Sequence, residues 1–269
     1  MSRPNYQTQL DAKIWELRDI ISDKRSAVCL SLDVPNWQLG RELLRLAAPY
    51  ICMVKIHPDL FSDWSKEAQT ELINMAQEGR YQIMCDQKMA DVPKIVYRQI
   101  RADMLGLYRV ADWITIMPNN YLDVAEYFAS HVEEQKINMR PQLLLVGQMN
   151  TKSSLSNTPD FKAAVSEIIL QPQFPVKAMI TQLNVYSDAV LGMTPGAILD
   201  DAPNPDPARY RTIRDAISRD HNQVVILGAG LLGPLTDSPT ATDVELGEFQ
   251  TRMELAARQS WSAILKIDK

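Results

Sequence analysis

The segment MCDQKMADVPKIV, residues 84–96, places two acids and a lysine where a short apolar run ends. Asp86 and Lys88 are two residues apart, so on an extended strand their side chains point to the same face. Asp91 follows three residues later, in a loop or in the first turn of a helix. A purely structural alternative is a set of surface salt bridges in which Asp91 caps a helix that begins near Pro93.

A second lysine favours a functional interpretation of these charges. Lys55 lies inside the apolar run ICMVKIH, residues 51–57, where an unpaired ammonium group would be costly to bury. The end of the next predicted strand offers Asp86 and Asp91 as partners. We therefore predict an array of alternating charges formed by Lys55, Asp86, Lys88 and Asp91.

Such an array suits one kind of chemistry in particular. Alternating charges keep one another ionised, so a buried carboxylate can face a substrate carboxylate and disfavour it. A neighbouring ammonium group can then give a proton to the carbon that is left behind. This arrangement indicates loss of CO₂ through electrostatic stabilisation of a carbanion, without a metal or an organic cofactor.

These charges require elements that bring the ends of neighbouring strands together. Eight apolar runs recur along the chain, and helical patterns follow them, as in parallel βα units. The sequence thus predicts an α/β fold, a (β/α)₈ TIM barrel, as one domain over residues 1–269. Residues 7–22 predict an added helix within an N-terminal extension, residues 1–25. The predicted strands lie in residues 26–34, 51–57, 81–86, 112–118, 142–149, 176–182, 189–196 and 223–230.

An open, doubly wound sheet is the alternative fold. A dinucleotide-binding version would carry a glycine-rich turn after its first strand, but here that strand ends in SLDVPNW. The segment GAGLLG, residues 228–233, fits the glycine spacing, yet it lies near the C-terminus with no βαβ unit after it. We therefore favour the closed barrel.

Composition restricts the partners and the compartment. The 269 residues are 46% hydrophobic and 23% charged, and the net charge of -5 argues against a nucleic-acid-binding surface. The three histidines are too scattered to predict a metal site, and the three cysteines lie in apolar runs, as buried free thiols do. The polar start and the absence of a membrane-length apolar run predict a soluble, cytoplasmic protein. The chemistry of the charge array predicts that its partner is a small-molecule substrate.

From about residue 26 onward, the chain resembles the orotidine 5′-monophosphate decarboxylase family, particularly its eukaryotic form. SLDVPNWQLGRELL resembles the family's first strand and helix, and VKIHPDLFSDWS is similar to its K-T-H-x-D-I-L motif. DQKMAD matches the family's D-x-K-x-x-D signature. MTPGAILDDAPNPDPARYRT follows its M-T-P-G-x-x-L-D-D…Y-R-T segment without a gap.

The resemblance implies a role for each matching residue. Lys88 would donate the proton to the carbanion, and Asp86 would face the leaving carboxylate. Asp91 would be shared across the interface of a homodimer, whereas Asp33 and Lys55 would hold the ribose hydroxyls. The resemblance also implies that no metal or cofactor is used. Two further positions would contact the ligand, Pro195 at the base and Tyr210 at the phosphate.

The chain departs from the family mainly at positions that contact the ligand. Ala229 stands where the family has an arginine that binds phosphate, and Ala208 replaces a glutamine that also meets phosphate. Ile95 replaces a threonine, and Asn150 stands where a serine reads the pyrimidine edge. Arg209 or Arg211 could supply the lost cation, although Arg211 matches an arginine of the family with a structural role.

An intact set of charges with altered ligand contacts leaves three functions open. The favoured hypothesis is a cofactor-independent carbon–carbon lyase that uses Lys88 on a less polar or unphosphorylated substrate. The alternative is an authentic orotidine 5′-phosphate decarboxylase that makes UMP. The further alternative is a binding barrel without turnover.

Overall fold

The strands of the chain form the predicted closed barrel. The computed structural model describes residues 6–131, 141–151, 153–183, 190–207 and 209–267. All eight barrel strands are parallel, and their order around the barrel is β1-β10-β7-β6-β5-β4-β3-β2. These strands are β1 (Val28–Ser31), β2 (Met53–Ile56), β3 (Gln82–Met89), β4 (Trp113–Ile116), β5 (Gln142–Val146), β6 (Ala178–Ile180), β7 (Leu191–Pro195) and β10 (Val224–Leu227).

Each predicted strand matches an observed one, and seven of the eight observed barrel strands are shorter and lie within the predicted range. The exception is β3, which continues to Met89, three residues beyond the predicted end. Parallel strands covered by helices read as continuous apolar runs because both of their faces are buried. The runs VCLS, WITI and VVIL are buried at every position.

Helices surround the barrel, as the alternating pattern predicts. Their amphipathic faces pack on the strands to form one connected core that runs from Leu10 to Ala263. No helix within the described ranges is long and apolar enough to cross a membrane. The helices are α1 (Tyr6–Lys24), α2 (Trp37–Ala47), α3 (Lys66–Gly79), α4 (Pro93–Arg101), α5 (Leu107–Val110), α6 (Tyr121–His131), α7 (Pro159–Ile169), α8 (Ala229–Leu232) and α9 (Asp243–Ile267).

The added N-terminal helix is present as α1, which lies at the ends where β3 and β4 begin. Lys13 pairs with Asp112 at 2.6 Å, one residue before β4. Gln82, the first residue of β3, donates to the backbone carbonyl of Lys13. The opposite ends of the strands are left open, and that is where active sites of such barrels lie.

A small accessory sheet frames the open end. Strand β8 (Ala197–Ile198) pairs in parallel with β9 (Arg211–Thr212). This pairing holds both ends of the proline-rich segment 199–210 beside the end of β7. This segment therefore borders the mouth of the barrel.

Candidate active site

The carboxyl ends of the strands open onto a cavity of about 480 Å³. The residues predicted for the site line this cavity, apart from Asp91 and Ile95. The polar and charged side chains of its wall are Ser31, Asp33, Lys55, His57, Asp86, Lys88, Gln148, Asn150, Thr151, Arg209 and Tyr210.

Four of these charges form what we call the ionic cluster: Asp33, Lys55, Asp86 and Lys88. The Lys55 Nζ atom lies 3.3 Å from Asp33 Oδ1 and 3.4 Å from Asp86 Oδ2. The Lys88 Nζ atom donates to the same Asp86 oxygen at 2.8 Å. Two ammonium groups thus share one carboxylate oxygen, and the formal charges of the cluster sum to zero.

Burial makes this pairing necessary. The Lys55 residue is only 8% exposed, on a strand whose other residues are apolar. Burial alone would raise the pKa of the Asp86 carboxyl, but the nearby Lys55 and Lys88 ammonium groups outweigh it and lower this pKa to about 2. Asp86 is therefore an anion throughout the physiological pH range.

His57 belongs to the same wall of the cavity. Its Nε2 atom lies 2.8 Å from Lys55 Nζ and 3.5 Å from Asp86 Oδ2. Burial and the Lys55 charge lower the pKa of His57 below its usual value. The imidazole is thus neutral near pH 7 and can accept a hydrogen bond from Lys55.

The backbone at Lys88 differs from a regular strand. Cys85 pairs with Ile114 and Met89 pairs with Ile116, so three residues of β3 lie opposite one residue of β4. Lys88 has a φ of 47°, in the left-handed region that residues with a side chain rarely adopt. The expected meeting of Asp86 and Lys88 is observed, but a bulge produces it where simple strand alternation was predicted.

Asp91 and Ile95 are not brought to the cavity by their own chain. Asp91 is exposed, and its carboxylate accepts the backbone N–H of Val92 at 2.7 Å. The N-cap of α4 is Val92, so the alternative in which Asp91 caps this helix is wrong, whereas Pro93 does occupy its first turn. Ile95 lies half-buried on α4. The sharing of Asp91 across a homodimer stays a prediction.

The end of β7 holds a second group of predicted residues. Pro195 ends the strand, and Gly196 follows with a φ of 77°. A Cβ atom at Gly196 would come within 2.2 Å of the Asn150 amide and 2.9 Å of the Arg209 carbonyl oxygen. Only glycine allows this close approach, which brings Asn150 and the segment before Tyr210 to the cavity wall.

The two arginines that flank Tyr210 differ in their partners. Arg211 pairs with Asp220 at 3.1 Å and donates to Thr194, so it holds structure as expected. Arg209 lines the cavity and lies over the Tyr210 ring. Its Nε atom is buried and finds no hydrogen-bond partner in the described part of the chain. Ala229 lies exposed at the mouth, whereas Ala208 lies outside the described residues.

Comparison with known proteins identifies the family to which the residues of this cavity belong. Residues 26–235 match the model of the orotidine 5'-phosphate decarboxylase / HUMPS family. The chain belongs to this family. The match begins with the segment that carries β1 and ends beyond α8, so it includes the whole ionic cluster.

Similar proteins carry the same family name. An orotidine 5'-phosphate decarboxylase of Magnusiomyces magnusii is 30% identical over 85% of each chain. One of Candida albicans is 27% identical over 92% of this chain and 89% of its own. These matches agree with the predicted enzyme class, a carboxy-lyase of the orotidine 5'-phosphate decarboxylase type.

Solved structures support the fold. An orotidine 5'-monophosphate decarboxylase from Methanocaldococcus jannaschii has a TM-score of 0.59 at 12% identity and covers 86% of this chain and 98% of its own. A family member from Pyrococcus horikoshii OT3 has a TM-score of 0.55 at 15% identity, over 85% and 98%. At such identities the likeness shows the barrel alone.

Sequence reasoning missed several polar residues of this family member's site. Ser31 donates to Asp33 at 2.6 Å, and Thr115 donates to Asp86 at 2.8 Å. Gln148 lines the cavity. Ser31 and Thr115 are polar residues in otherwise apolar strands, a weak signal because threonine is common in strands. No group of three metal-ligating side chains is found among the described residues.

Proposed function

We propose that this protein is a cofactor-independent decarboxylase in which Lys88 protonates the carbon that loses CO₂. The observation that carries the proposal is the shared contact of Lys55 and Lys88 with one Asp86 oxygen in the wall of the cavity. A fixed anion flanked by two proton-bearing cations fits a reaction in which negative charge leaves as CO₂ and passes to carbon.

The chemical steps follow from this arrangement. A substrate carboxylate that binds beside Asp86 is repelled by it, because the low pKa keeps Asp86 ionised. When the bond to the carboxylate breaks, its electron pair stays on the substrate carbon and CO₂ leaves. The Lys88 ammonium then gives one proton to that carbon, and the neutral amine regains a proton from water.

Orotidine 5′-phosphate is the first substrate to consider. Relatives of 30% and 27% identity carry the name of its decarboxylase. The charges of the ionic cluster cancel, and His57 is neutral, so Arg209 leaves the described wall with one uncompensated positive charge. That charge supports a substrate with an anionic group outside the cluster, as a phosphate is.

A less polar or unphosphorylated substrate is the second candidate. It is favoured by Ala229, which lines the mouth where the family resemblance calls for an arginine. Arginine–phosphate contacts are charge-assisted, and hydrogen bonds to charged groups contribute about 1.5–3 kcal/mol each. The apolar side chains Ile180, Ile198 and Ile226 in the same wall would suit such a ligand.

The experiment compares CO₂ release from orotidine 5′-phosphate and from orotidine. Lys88→Met keeps the length of the side chain but removes the proton, and we expect it to lower kcat by about 10²–10⁴-fold, as for loss of a general acid. Lys66→Met, at an exposed position on α3, is the matched control. Full activity of Lys88→Met would refute the mechanism. Failure of the unaltered protein to turn over either substrate would favour the binding barrel.

We also propose a homodimer in the cytoplasm, in which Asp91 reaches the partner's cavity. The exposure of Asp91 in the single chain is consistent with such sharing. Sedimentation of the 30.5 kDa chain at micromolar concentration tests the dimer. A monomer that is fully active would contradict the shared site.

A further inference from the structure

Thr115 lies in β4 directly beside the bulge of β3. It is completely buried, and its neighbours in the strand are apolar. The strand pairing places residues 86–88 opposite this one residue. Thr115 is not part of the cavity wall, so any effect on a bound substrate must pass through other side chains.

The Thr115 hydroxyl joins the two central groups of the ionic cluster. It donates to Asp86 Oδ1 at 2.8 Å and accepts the backbone N–H of Lys88 at 2.8 Å. A hydroxyl has one proton and two lone pairs, so it can make both hydrogen bonds at once. Its proton goes to the carboxylate, and one lone pair goes to the amide.

One of these hydrogen bonds stabilises the irregular backbone at Lys88, and the other orients the Asp86 carboxylate. The bulge takes Lys88 out of the regular strand pairing, and the Thr115 oxygen accepts the Lys88 N–H at this irregular point. A left-handed backbone at a residue with a side chain persists only where the surroundings hold it. The bond to Oδ1 also fixes the carboxylate plane, so that Oδ2 faces Lys55 and Lys88.

We propose that Thr115 is a positioning residue that holds the Asp86 carboxylate and the Lys88 backbone in the geometry required for proton transfer. The proposal rests on the proposed function, because it assigns Lys88 as the proton donor. The geometry itself concerns the protein alone and can be tested without turnover.

The first test compares two substitutions of Thr115. Thr115→Val keeps the shape and removes the hydroxyl, and we expect kcat to fall about 10- to 100-fold with KM within about twofold. Thr115→Ser keeps the hydroxyl and should stay within about threefold of the unaltered kcat, since a hydroxyl restores both hydrogen bonds. Ser260→Ala removes a buried hydroxyl on α9, far from the cavity, and should leave kcat unchanged.

The second test measures acylation of the Lys88 amine by mass spectrometry. Acylating reagents must reach the Lys88 nitrogen, which in the folded protein donates to Asp86 Oδ2 at 2.8 Å on a side chain that is about two-thirds shielded from solvent. Loss of positioning in Thr115→Val should therefore speed the labelling of Lys88 several-fold, whereas Thr115→Ser and Ser260→Ala should label at the unaltered rate. Thr115→Cys, which has a weakly bonding thiol of similar size, provides the same comparison if the valine variant does not fold.

The outcomes separate the two proposals. Faster labelling of Thr115→Val in a protein that releases no CO₂ would support the positioning role and refute the proposed function. Unaltered labelling together with unaltered kcat would overturn the positioning role. Equal damage by serine and valine would also overturn it, because packing would then explain the effect.

Discussion

The charge of Asp86 should stabilise the folded protein, and Asp86→Asn tests this directly. Lowering the carboxyl pKa from 3.8 to about 2 corresponds to about 2.5 kcal/mol in favour of the ionised form in the folded state. Its side chain is only 12% exposed, so solvent screens the interaction little. Asparagine resembles the protonated carboxyl in shape and charge. We therefore expect Asp86→Asn to lower the free energy of unfolding by about 2.5 kcal/mol at pH 7.

The lowered pKa also determines how the stabilisation by Asp86 changes with pH. The pKa of Asp86 is depressed by folding, so its stabilising effect is fully present well above pH 3.8 and is lost as the pH falls towards 2. The difference between the unaltered protein and Asp86→Asn should thus be constant from pH 7 to 5. It should shrink to roughly half of its neutral value near pH 3.

Urea denaturation at pH 7, 5 and 3 measures these differences. Asp19→Asn, at an exposed position on α1, serves as the control and should change the free energy of unfolding by less than about 0.5 kcal/mol. The reasoning is refuted if Asp86→Asn is as stable as the unaltered protein at pH 7. A difference that does not depend on pH would show that packing, and not charge, is responsible.

Three further predictions concern other residues of the cavity and core. Ala229→Arg places a second cation beside Arg209 at the mouth of the cavity. It should lower KM for orotidine 5′-phosphate about tenfold or more and leave KM for orotidine unchanged. An unchanged ratio of the two KM values would argue against a phosphate at this mouth. Because folding lowers the pKa of His57, the unfolded chain binds more protons than the folded protein just below pH 6.5. The free energy of unfolding should therefore decrease as the pH falls through this range. His57→Asn should flatten that slope in urea denaturation at pH 7.5 and 5.5, and an equally steep slope would contradict the assignment. Burial raises the pKa of the Cys52 thiol to about 12 and that of the Cys85 thiol still further. Because iodoacetamide reacts with the thiolate, it should label these two cysteines only after unfolding in urea. Labelling of the folded protein would contradict their burial.

The barrel could be predicted from the sequence because its signal is repeated along the chain. Eight apolar runs of strand length with helical patterns between them leave few alternatives to parallel βα units. Lys55 was informative for a physical reason, since an ammonium group in an apolar strand needs an anion. The structure supplies Asp33 and Asp86 as those partners, whereas Asp91 was predicted in place of Asp33.

The finer geometry of the site could not be predicted because non-local contacts determine it. Nothing in DQKMAD indicates that Lys88 adopts a left-handed backbone, since Thr115 on the next strand supports that conformation. The sequence named Arg209 and Arg211 as alternative cations but could not choose between them. Whether an arginine is free to meet a ligand depends on the carboxylates around it, and Arg211, two residues later, is already paired with Asp220.

The neutrality of the ionic cluster affects how a ligand reaches it. The field of four cancelling charges falls off steeply with distance, and salt screens what is left beyond about 8–10 Å. The chain as a whole carries a net charge of -5, so an anion that approaches from solution meets weak repulsion before it enters the barrel. Capture of such a ligand is therefore not steered from afar, and added salt should speed its association slightly.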